Sequence, residues 1–371
     1  MAETPRWVGI DVGADTLAIC GLDEAGAVVG EAQVAATADH VESLLNAWKA
    51  TKETYIAAEA GSFSIHLARS LRSRGYHIDL FDTRQVSKFL RIRQNKTDRN
   101  DARGIAEVAR LGQGVVSKAF VKSVDCQSIR SQLALRQKLV EHRVALEAAI
   151  RSVLRLNGER LPRSSSAAAL RRNVAAALER LSVKQGSDLA QHVLPVADLC
   201  EVTRRHLERT DRALAKVARA NPVCARLMTV HGVGPICALS FYSAIEDPER
   251  FTSVEDGAAY LGLAPRTIQS GAGKYRGRTS KMGSTLTRQH LIAAASILLL
   301  MGKQESDLRD WAVSLRSRVG TRRATVALAR KIAVLLLSLW KQDRDFVARS
   351  VAPPSIAIAK PVSDPSAAPA L

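Results

Sequence analysis

The segment Trp7–Val12, WVGIDV, decides the fold of the first part of the chain. Its apolar run predicts a buried β-strand from Trp7 to Asp11, with the carboxylate of Asp11 at the strand end. Two further strands, Leu17–Leu22 and Ala27–Val34, follow directly, and the turn-forming residues 23–26, DEAG, separate them. The pattern therefore predicts three consecutive strands joined by short turns.

Strand and helix patterns alternate after these three strands. The expected elements, in chain order, are a helix at about Val41–Lys49, a strand at Tyr55–Glu59, a helix at Ser64–Arg74 and a strand at His77–Phe81. Three antiparallel strands followed by α/β alternation is the order of ribonuclease H-like domains, whose acidic residues gather at strand ends and on a late helix. By this fold analogy, the N-terminal part is an α/β domain.

Four acidic residues occupy positions where a two-metal nuclease needs carboxylates. Asp11 and Glu59 each close a predicted strand, whereas Asp98 and Asp101 open a helical pattern that continues to Leu111. Residues three apart share one face of a helix. Carboxylates gathered at one place raise one another's pKa unless cations neutralise them. The set predicts a site for two Mg²⁺ ions about 4 Å apart.

Each of these acids also has an ordinary structural explanation. Asp98 and Asp101 lie in the first turn of a helix, where the helix dipole favours acids, and Thr97 is an ordinary N-cap. Asp11 could be a turn residue, and Glu59 could be a solvated side chain. The ordered set, rather than any single residue, favours the metal site.

The charge balance indicates a polyanionic partner. The 371 residues include 54 lysines and arginines against 36 aspartates and glutamates, a net charge of +18. Nucleic acid is the default partner for such a chain. The five cysteines show neither a CxxC pair nor zinc-site spacing, so we expect reduced core thiols in a cytosolic protein. No signal-peptide pattern is present and the longest apolar stretches, Leu291–Met301 and Ile332–Trp340, are too short to span a bilayer, so we expect a soluble protein without a membrane partner.

A long helical segment follows the α/β part. Apolar residues fall at helical spacing along one predicted stripe, namely Leu135, Leu139, Leu146, Ile150 and Val153. Asn157 and Gly158 end this helix, and a Ser-rich stretch at 164–166 leads to further helices, the last at about Val196–Ala218. Both a dimerising coiled-coil arm and a plain helical bundle fit, because the heptads are imperfect.

The predicted domain boundaries follow from these patterns. We expect an α/β nuclease domain at 1–115, a helical arm at 116–222, a mainly helical domain at 223–345 and a disordered tail at 346–371. The last twenty residues, from Ala352, hold five of the twelve prolines among Ala and Ser, a composition that cannot form a core.

A second group of motifs lies in the segment 223–345. Residues 231–235, HGVGP, separate two helical patterns, and backbone N–H groups near Gly232 and Gly234 can approach a phosphate, as in helix-hairpin-helix modules. A simple glycine-containing turn between helices is the alternative. Further on, Ser270 stands on a predicted polar loop, where its hydroxyl could attack a phosphorus atom. The basic residues predicted to hold that phosphate are Lys274, Arg276, Arg278 and Lys281.

Two more groups of basic residues are predicted to contact nucleic-acid backbone. One precedes the second pair of acids and comprises Arg84, Lys88, Arg91, Arg93 and Lys96. The other lies near the C-terminus and comprises Arg316, Arg318, Arg322, Arg323 and Lys331. A solvated basic surface is the alternative for both.

Taken together, these motifs resemble the IS110 family of transposases, the DEDD recombinases of bacterial insertion sequences. The matching segments, which span residues 6 to 345, are Gly9–Asp11, Glu59–Gly61, Lys96–Ala102, His231–Gly234, Gly262–Pro265, Ser270–Gly271 and Ser280–Gly283. The proline-rich tail after Ala352 lies outside the family's motifs.

The resemblance implies a RuvC-like nuclease domain, a helical arm and a transposase domain. It implies that Asp11, Glu59, Asp98 and Asp101 bind Mg²⁺ and that Ser270 is the nucleophile. It further implies DNA as substrate, a structured guide RNA, and a homo-oligomer, dimer or tetramer, whose active sites combine residues of different subunits. A cytoplasmic, nucleoid-associated bacterial protein is expected.

Three other functions fit parts of the sequence. In a RuvC-like Holliday-junction nuclease, metal-activated water would attack the phosphate and Ser270 would be incidental. Residues 9–16 resemble the first phosphate loop of actin-like and sugar kinases, but no second glycine-rich loop follows and the net charge of +18 is unusual for that class. A nucleic-acid-binding protein with relic acids would lack catalysis.

Overall fold

The fold was analysed in a computed structural model that describes residues 4–91, 95–112, 114, 116–163, 166–185, 189–270, 273–302 and 305–349. The chain divides into two compact units at the boundary between Lys122 and Ser123. The first is mixed α/β and the second is mostly helical. The predicted tail lies outside the described residues from position 350 onwards.

A five-stranded sheet forms the centre of the first unit. Its strands are β1 (Trp7–Val12), β2 (Thr16–Leu22), β3 (Val28–Ala35), β4 (Tyr55–Glu59) and β5 (His77–Phe81). The spatial order is β3-β2-β1-β4-β5, in which β1, β2 and β3 pair antiparallel and β1, β4 and β5 pair parallel. All five strands were predicted from the sequence, with bounds that agree to within a residue or two.

Helices cover both faces of this sheet. They are α1 (Ala38–Ala47), α2 (Ser62–Ser73), α3 (Thr83–Leu90) and α4 (Asp98–Leu111). Val8, Ile10 and Ile56 pack with α1 and α2 on one face, whereas Ala57 packs with Ile105 of α4 on the other. The sequence prediction missed α3, whose N-cap is Asp82.

Three long helices begin the second unit. They are α5 (Val124–Leu156), α6 (Ala167–Gln185) and α7 (Ala190–Ala220). A hydrophobic core of their own includes Ile150 and Leu154 of α5 and Val174 of α6. The expected end of the first helix at Asn157 is confirmed.

The prediction that Leu135 belongs to the apolar stripe of α5 is wrong. Leu135 is 68% exposed, and the buried residue at this level of the helix is Leu133. The inward positions further along the helix are partly polar instead. Arg136 pairs with Asp211 of α7 at 2.5 Å, and Arg204 of α7 pairs with Glu147 at 2.8 Å. Ion pairs therefore replace apolar contacts along the middle of α5 and α7.

Helix α7 begins six residues earlier than the predicted start at about Val196, although proline is disfavoured in the interior of a helix. Pro195 instead lies inside the helix, one and a half turns from its start at Ala190. Val193 and Ala197, on either side of the proline, are buried in the core of the three long helices. Packing therefore outweighs the local cost of the missing hydrogen bond.

The remaining elements enclose a second hydrophobic core. They are α8 (Pro222–Leu227), α9 (Pro235–Ile245), a 3-10 turn (Pro248–Arg250), α10 (Val254–Tyr260), β6 (Pro265–Ser270), β7 (Gly273–Thr279), α11 (Thr285–Leu300), α12 (Asp307–Val319) and α13 (Thr321–Lys341). Leu133 of α5 and Leu214 of α7 belong to this core, so the two long helices link both cores. The division into arm and C-terminal domain remains a prediction.

The expectation that the cysteines are core thiols is confirmed. All five cysteines are buried and unbridged. Among the described residues, no helix combines the length and the apolar composition needed to cross a membrane.

Candidate active site

Two of the predicted acids lie side by side at one edge of the sheet. Ile10 of β1 and Ala58 of β4 are register partners in a parallel pair, and Asp11 and Glu59 are the next residue on each strand. Neighbouring strands lie about 4.8 Å apart, and residues at matching positions point to the same face. The sheet therefore sets Asp11 and Glu59 next to each other.

A glycine lets α4 approach the same face of the sheet. A Cβ atom at Gly9 would lie 2.2 Å from the backbone oxygen of Ala102 and 2.3 Å from the backbone nitrogen of Ala106. Because strand residues two apart share a face, Asp11 points to the side on which α4 packs. Only glycine at position 9 allows this contact.

The first turn of α4 supplies the other two acids. The hydroxyl of Thr97 accepts a hydrogen bond from the backbone N–H of Asn100 at 3.2 Å, so Thr97 is the predicted N-cap. Asp98 and Asp101 lie in the turn that precedes the contact at Ala102. Asp98 also lines an open recess of about 520 Å³ beside Arg99.

Electrostatics show that the four carboxylates share one environment. Burial raises the pKa of Asp11 to about 6, and the charges of Asp101, Asp98 and Glu59 add to the rise. These repulsive contributions depend on short distances in a partly buried setting. The structure therefore places Glu59, Asp98 and Asp101 close enough to Asp11 for their charges to act on its carboxyl group.

The pKa of Glu59 is affected by the acid cluster and by neighbouring polar and basic residues. Burial raises its pKa, a hydrogen bond from Thr83 and the charge of Lys96 lower it, and the charge of Asp101 raises it. The single hydroxyl proton of Thr83, at the start of α3, is shared between Glu59 and the carbonyl oxygen of Ala60, which lies 2.7 Å from the hydroxyl. The sequence prediction had not identified Thr83 as a neighbour of the site.

The acids fit a divalent cation by their chemistry. Mg²⁺ prefers carboxylate oxygens, and a cation would offset the repulsion that adds to the rise in the pKa of Asp11 caused by burial. Among the side chains that the structure describes, however, no three from His, Cys, Asp or Glu stand in a metal-ligand arrangement.

The basic residues predicted beside the acids lie mostly on α3. Arg84 and Lys88 are exposed, four residues apart on this helix, and the exposed Arg91 caps its end. Lys96 is also exposed and acts electrostatically on Glu59. Arg93 lies outside the described residues.

The predicted turn between two helices is present as the connection from α8 to α9. Its two glycines differ in role. A Cβ atom at Gly232, whose φ is +87°, would lie 2.5 Å from the backbone oxygen of Ala294 in α11, so packing explains this glycine. Around Gly234 no atom lies within 4 Å of a Cβ position, which leaves its backbone open.

The predicted loop around Ser270 is wrong, because this segment forms a β-hairpin. Ser270 is the last residue of β6 and is the register partner of Gly273, the first residue of β7. Lys274, Arg276 and Arg278 occupy alternate positions of β7. The glycines and charges suggested a loop, but the alternation of residues such as Thr267 and Ile268 favours a strand.

Backbone contacts hold the base of this hairpin. Gly262 and Gly283 have φ values of +73° and +75°, and a Cβ atom on either would lie 2.0 Å from a backbone oxygen, that of Met282 or Tyr260. Lys281 is exposed and also has a positive φ, of 56°. The conformation is left-handed at these positions, which explains the glycines in both motifs.

Arg288 of α11 reinforces the same region. Its Nη1 atom donates to the carbonyl oxygens of Met282 at 2.7 Å, Leu261 at 3.1 Å and Gly283 at 3.2 Å. Its Nη2 atom donates to the hydroxyl of Thr285 at 3.0 Å. One guanidinium group therefore joins both ends of the segment that carries the hairpin, a role that no sequence pattern indicated.

The predicted contact of the second basic group with nucleic acid stays a prediction, and the structure gives the position of each residue. Arg318, Arg322 and Arg323 are exposed, and Arg316 is half-buried, around the junction of α12 and α13 at Gly320. Lys331 instead lies over the ring of Trp311, 4.3 Å from its centroid, and burial lowers its pKa. Half-buried Lys331 therefore packs on the ring of Trp311.

Comparison with known proteins places these two regions in one family. A model of DEDD transposases of IS110 elements matches residues 8–157, and a model of the IS116/IS110/IS902 transposase family matches residues 224–309. The transposase for insertion sequence element IS1111A of Coxiella burnetii is 30% identical over 349 residues, which cover 91% of this chain and 90% of that protein. The chain belongs to the IS110 family of transposases.

Further relatives of this transposase agree. A probable family 20 transposase of Pseudomonas aeruginosa is 26% identical over 91% of this chain and 97% of its own length. A putative transposase of Sinorhizobium fredii, y4pF/y4sB, is 28% identical over 80% of this chain and 75% of its own length. The chain is thus a DNA transposase, an enzyme whose partner is DNA, from a family that is normally metal-dependent.

Proposed function

We propose that this transposase cuts and rejoins DNA strands with a metal-binding acid cluster and a serine nucleophile. The observation that best supports it is the acid cluster itself, in which burial raises the pKa of Asp11 to about 6 and the charges of Asp101, Asp98 and Glu59 add to the rise. Such a cluster costs folding free energy unless a cation or substrate offsets it. A stable fold that retains it indicates chemistry at this edge.

The proposed fold of the first unit is that of RuvC-like and ribonuclease H-like nucleases. Its support is the sheet order β3-β2-β1-β4-β5, with three antiparallel strands followed by two parallel ones. The acids at the ends of β1 and β4 and at the start of α4 have the distribution expected of that class.

Asp11, Glu59, Asp98 and Asp101 are the proposed ligands of two Mg²⁺ ions. When bound, these ions would supply positive charge that stabilises the attacking and leaving oxygens of phosphodiester exchange. Of the chain's own residues, Asp11 and Glu59 are held by the rigid sheet and the other two by the capped first turn of α4. Lys96 and the exposed residues of α3 would orient the DNA strand.

Ser270 is the proposed nucleophile. Its hydroxyl would lose its proton as its oxygen bonds to the phosphorus, while the bond from phosphorus to the leaving strand breaks and the leaving oxygen takes up a proton. The phosphoserine bond conserves the energy of the broken bond, so rejoining needs no ATP. Support comes from the position of Ser270 in the family motif and from the fixed base of its hairpin.

We further propose a structured guide RNA and a homo-oligomer, a dimer or tetramer whose subunits share active sites. The support is the family resemblance together with the net charge of +18, which suits more than one polyanion. The helical arm at 116–222 would be the architectural segment, and the segment 223–345 the transposase domain. Sequencing of nucleic acid crosslinked to the purified protein tests the RNA and reports the DNA target.

A covalent adduct tests the serine. The reaction is trapped on a nicked DNA target, denatured, and examined for DNA that migrates with protein. The wild-type protein and a Ser280→Ala control should both give the adduct, whereas Ser270→Ala should give none. An adduct that persists in Ser270→Ala would show that another residue is the nucleophile, and Ser280 and Ser284 would be the next candidates.

The same assay tests the acids and the subunit arrangement. Asp11→Asn should abolish cleavage without loss of folding, and a mixture of Asp11→Asn and Ser270→Ala subunits should recover part of the activity if active sites are shared. Cleavage by the wild-type protein without any adduct would instead support a junction nuclease that uses metal-activated water. Full activity of Asp11→Asn would contradict the metal site.

A further inference from the structure

The far end of α5 carries a cluster of arginines for which the described residues offer little negative charge. The segment Arg151–Arg163 contains four arginines and one glutamate, Glu159. That glutamate is 7% exposed and pairs with Arg180 of α6 at 2.8 Å. The one acid of the segment is therefore already neutralised by a fifth arginine.

These arginines border a recess that the helix end and the chain after it form together. Arg151, Arg155, Arg160 and Leu161 line the recess, which has a volume of about 390 Å³. Arg151 is fixed in place, because its guanidinium donates to the carbonyl oxygens of Leu161 at 2.8 Å and Pro162 at 3.1 Å.

The remaining arginines of the segment are available to a ligand. Arg155, Arg160 and Arg163 are exposed, and none of them forms an ion pair with another described residue. A basic residue in the last turn of a helix is favoured by the helix dipole, which explains Arg155. The dipole does not explain Arg160 and Arg163, which lie beyond the helix end at Leu156.

The arginines that line or border this recess, Arg151, Arg155, Arg160 and Arg163, are called the arm-end arginine cluster. We propose that this cluster binds the phosphate backbone of duplex DNA. Guanidinium groups suit phosphate oxygens, which they can contact through two parallel hydrogen bonds. DNA is chosen over other polyanions because the family membership establishes DNA as the partner of this enzyme. The proposal does not depend on the assignment of the acids or of Ser270.

The recess lies at the end of α5 that is distant from the C-terminal core. Leu133 of α5 belongs to the C-terminal core and Leu154 to the core of the three long helices. The 21 residues between them extend about 32 Å along a helix, which corresponds to roughly nine base pairs of duplex DNA. The arm-end arginine cluster would therefore contact DNA about 32 Å, measured along α5, from the C-terminal core.

The test uses the full-length protein and a duplex of the element's end. In Arg155→Gln/Arg160→Gln, the dependence of log affinity on log salt should become shallower by about two units, with an affinity loss of roughly tenfold at moderate salt. Hydroxyl-radical footprints should lose protection in one outer segment only. Both side chains are exposed, so the thermal unfolding midpoint should not change.

The matched control is Arg209→Gln/Arg219→Gln, which removes two exposed charges from α7. It should leave the salt dependence and the footprint close to those of the wild-type protein. An equal loss in both double variants would show a general charge effect and overturn the proposal. An unchanged footprint of Arg155→Gln/Arg160→Gln, or a loss of affinity for a structured RNA but not for duplex DNA, would also overturn it.

Discussion

The acid cluster of the first unit and the Ser270 hairpin of the second are built in opposite ways. The acids stand on regular elements, at the ends of β1 and β4 and in the first turn of α4, and their positions follow from the packing of helix on sheet. The hairpin depends instead on backbone contacts at its base, through two left-handed glycines and the guanidinium of Arg288.

This difference affects how each region responds to change. Asp11 and Glu59 are fixed at the ends of their strands, so Asp11 stays partly buried beside the other acids. Burial raises its pKa, and the charges of those acids add to the rise. A hairpin held at its base can be displaced by the loss of a few hydrogen bonds while the helical core stays folded. Substitution of Gly9, which positions the acid cluster, should therefore reduce the stability of its unit more than substitution of Arg288, which positions the hairpin.

The largest effect is expected for Gly9→Ala. The added Cβ atom would collide with the backbone of α4, which cannot give way without moving the whole helix. We expect the first unit to lose about 3 kcal/mol or more of its free energy of unfolding, and DNA cleavage to be lost. Urea unfolding checks this against Gly114→Ala, which adds a Cβ atom in open space and should change stability by less than about 0.5 kcal/mol. Equal stability of the two variants would show that α4 does not depend on Gly9.

A smaller effect is expected for Arg288→Met, which keeps an unbranched apolar side chain but removes every donor to the hairpin base. Loss of these hydrogen bonds should cost about 1–3 kcal/mol and lower strand transfer at least tenfold, because Ser270 is no longer held. The control, Arg209→Met on α7, changes an exposed arginine away from the hairpin. Arg288→Met with wild-type strand transfer would mean that the clamp has no part in positioning Ser270.

The smallest effect concerns pH and the second unit. Burial lowers the pKa of His290 to about 4, helped by the charge of Arg136, and its Nδ1 atom is buried without a hydrogen-bond partner. The unfolded chain therefore takes up a proton near pH 6.5 that the folded chain takes up only near pH 4, so stability falls as pH drops through this window.

Replacing this histidine with a side chain that does not titrate tests the effect. In His290→Gln, the loss of stability between pH 6.5 and pH 4 should shrink by on the order of 1 kcal/mol. His142→Gln, at an exposed histidine of α5, should keep the wild-type pH dependence. Unfolding followed by calorimetry at several pH values distinguishes the two, and parallel curves for all three proteins would contradict the assignment.

Much of the first unit was predictable because its signals are local. Strand periodicity, the turn before Ala27 and the N-cap at Thr97 each depend on a few neighbouring residues, and each is confirmed. The four acids were found by the same means, since they lie at predictable ends of elements. Helix α3 was missed because its single buried residue, Val86, leaves almost no periodic signal.

Predictions failed where distant residues decide. Leu135 is exposed and Leu133 buried because the partners of α5 lie on α7, some eighty residues away. Pro195 lies inside a helix because packing around it compensates for one lost hydrogen bond. No sequence pattern predicts the role of Arg288, because the carbonyl oxygens that it binds become neighbours only after the chain has folded.

The sequence alone determined the charge and hence the class of partner, the five strands of the first unit, and the identity of the four acids. These depend on composition and on interactions within a turn or two of chain. Only the tertiary structure decided that the acids meet, because their meeting requires α4 to lie on the bare backbone of Gly9. It also decided that Ser270 ends a strand and that Lys331 packs on Trp311, since contacts between distant segments depend on packing that no local pattern encodes.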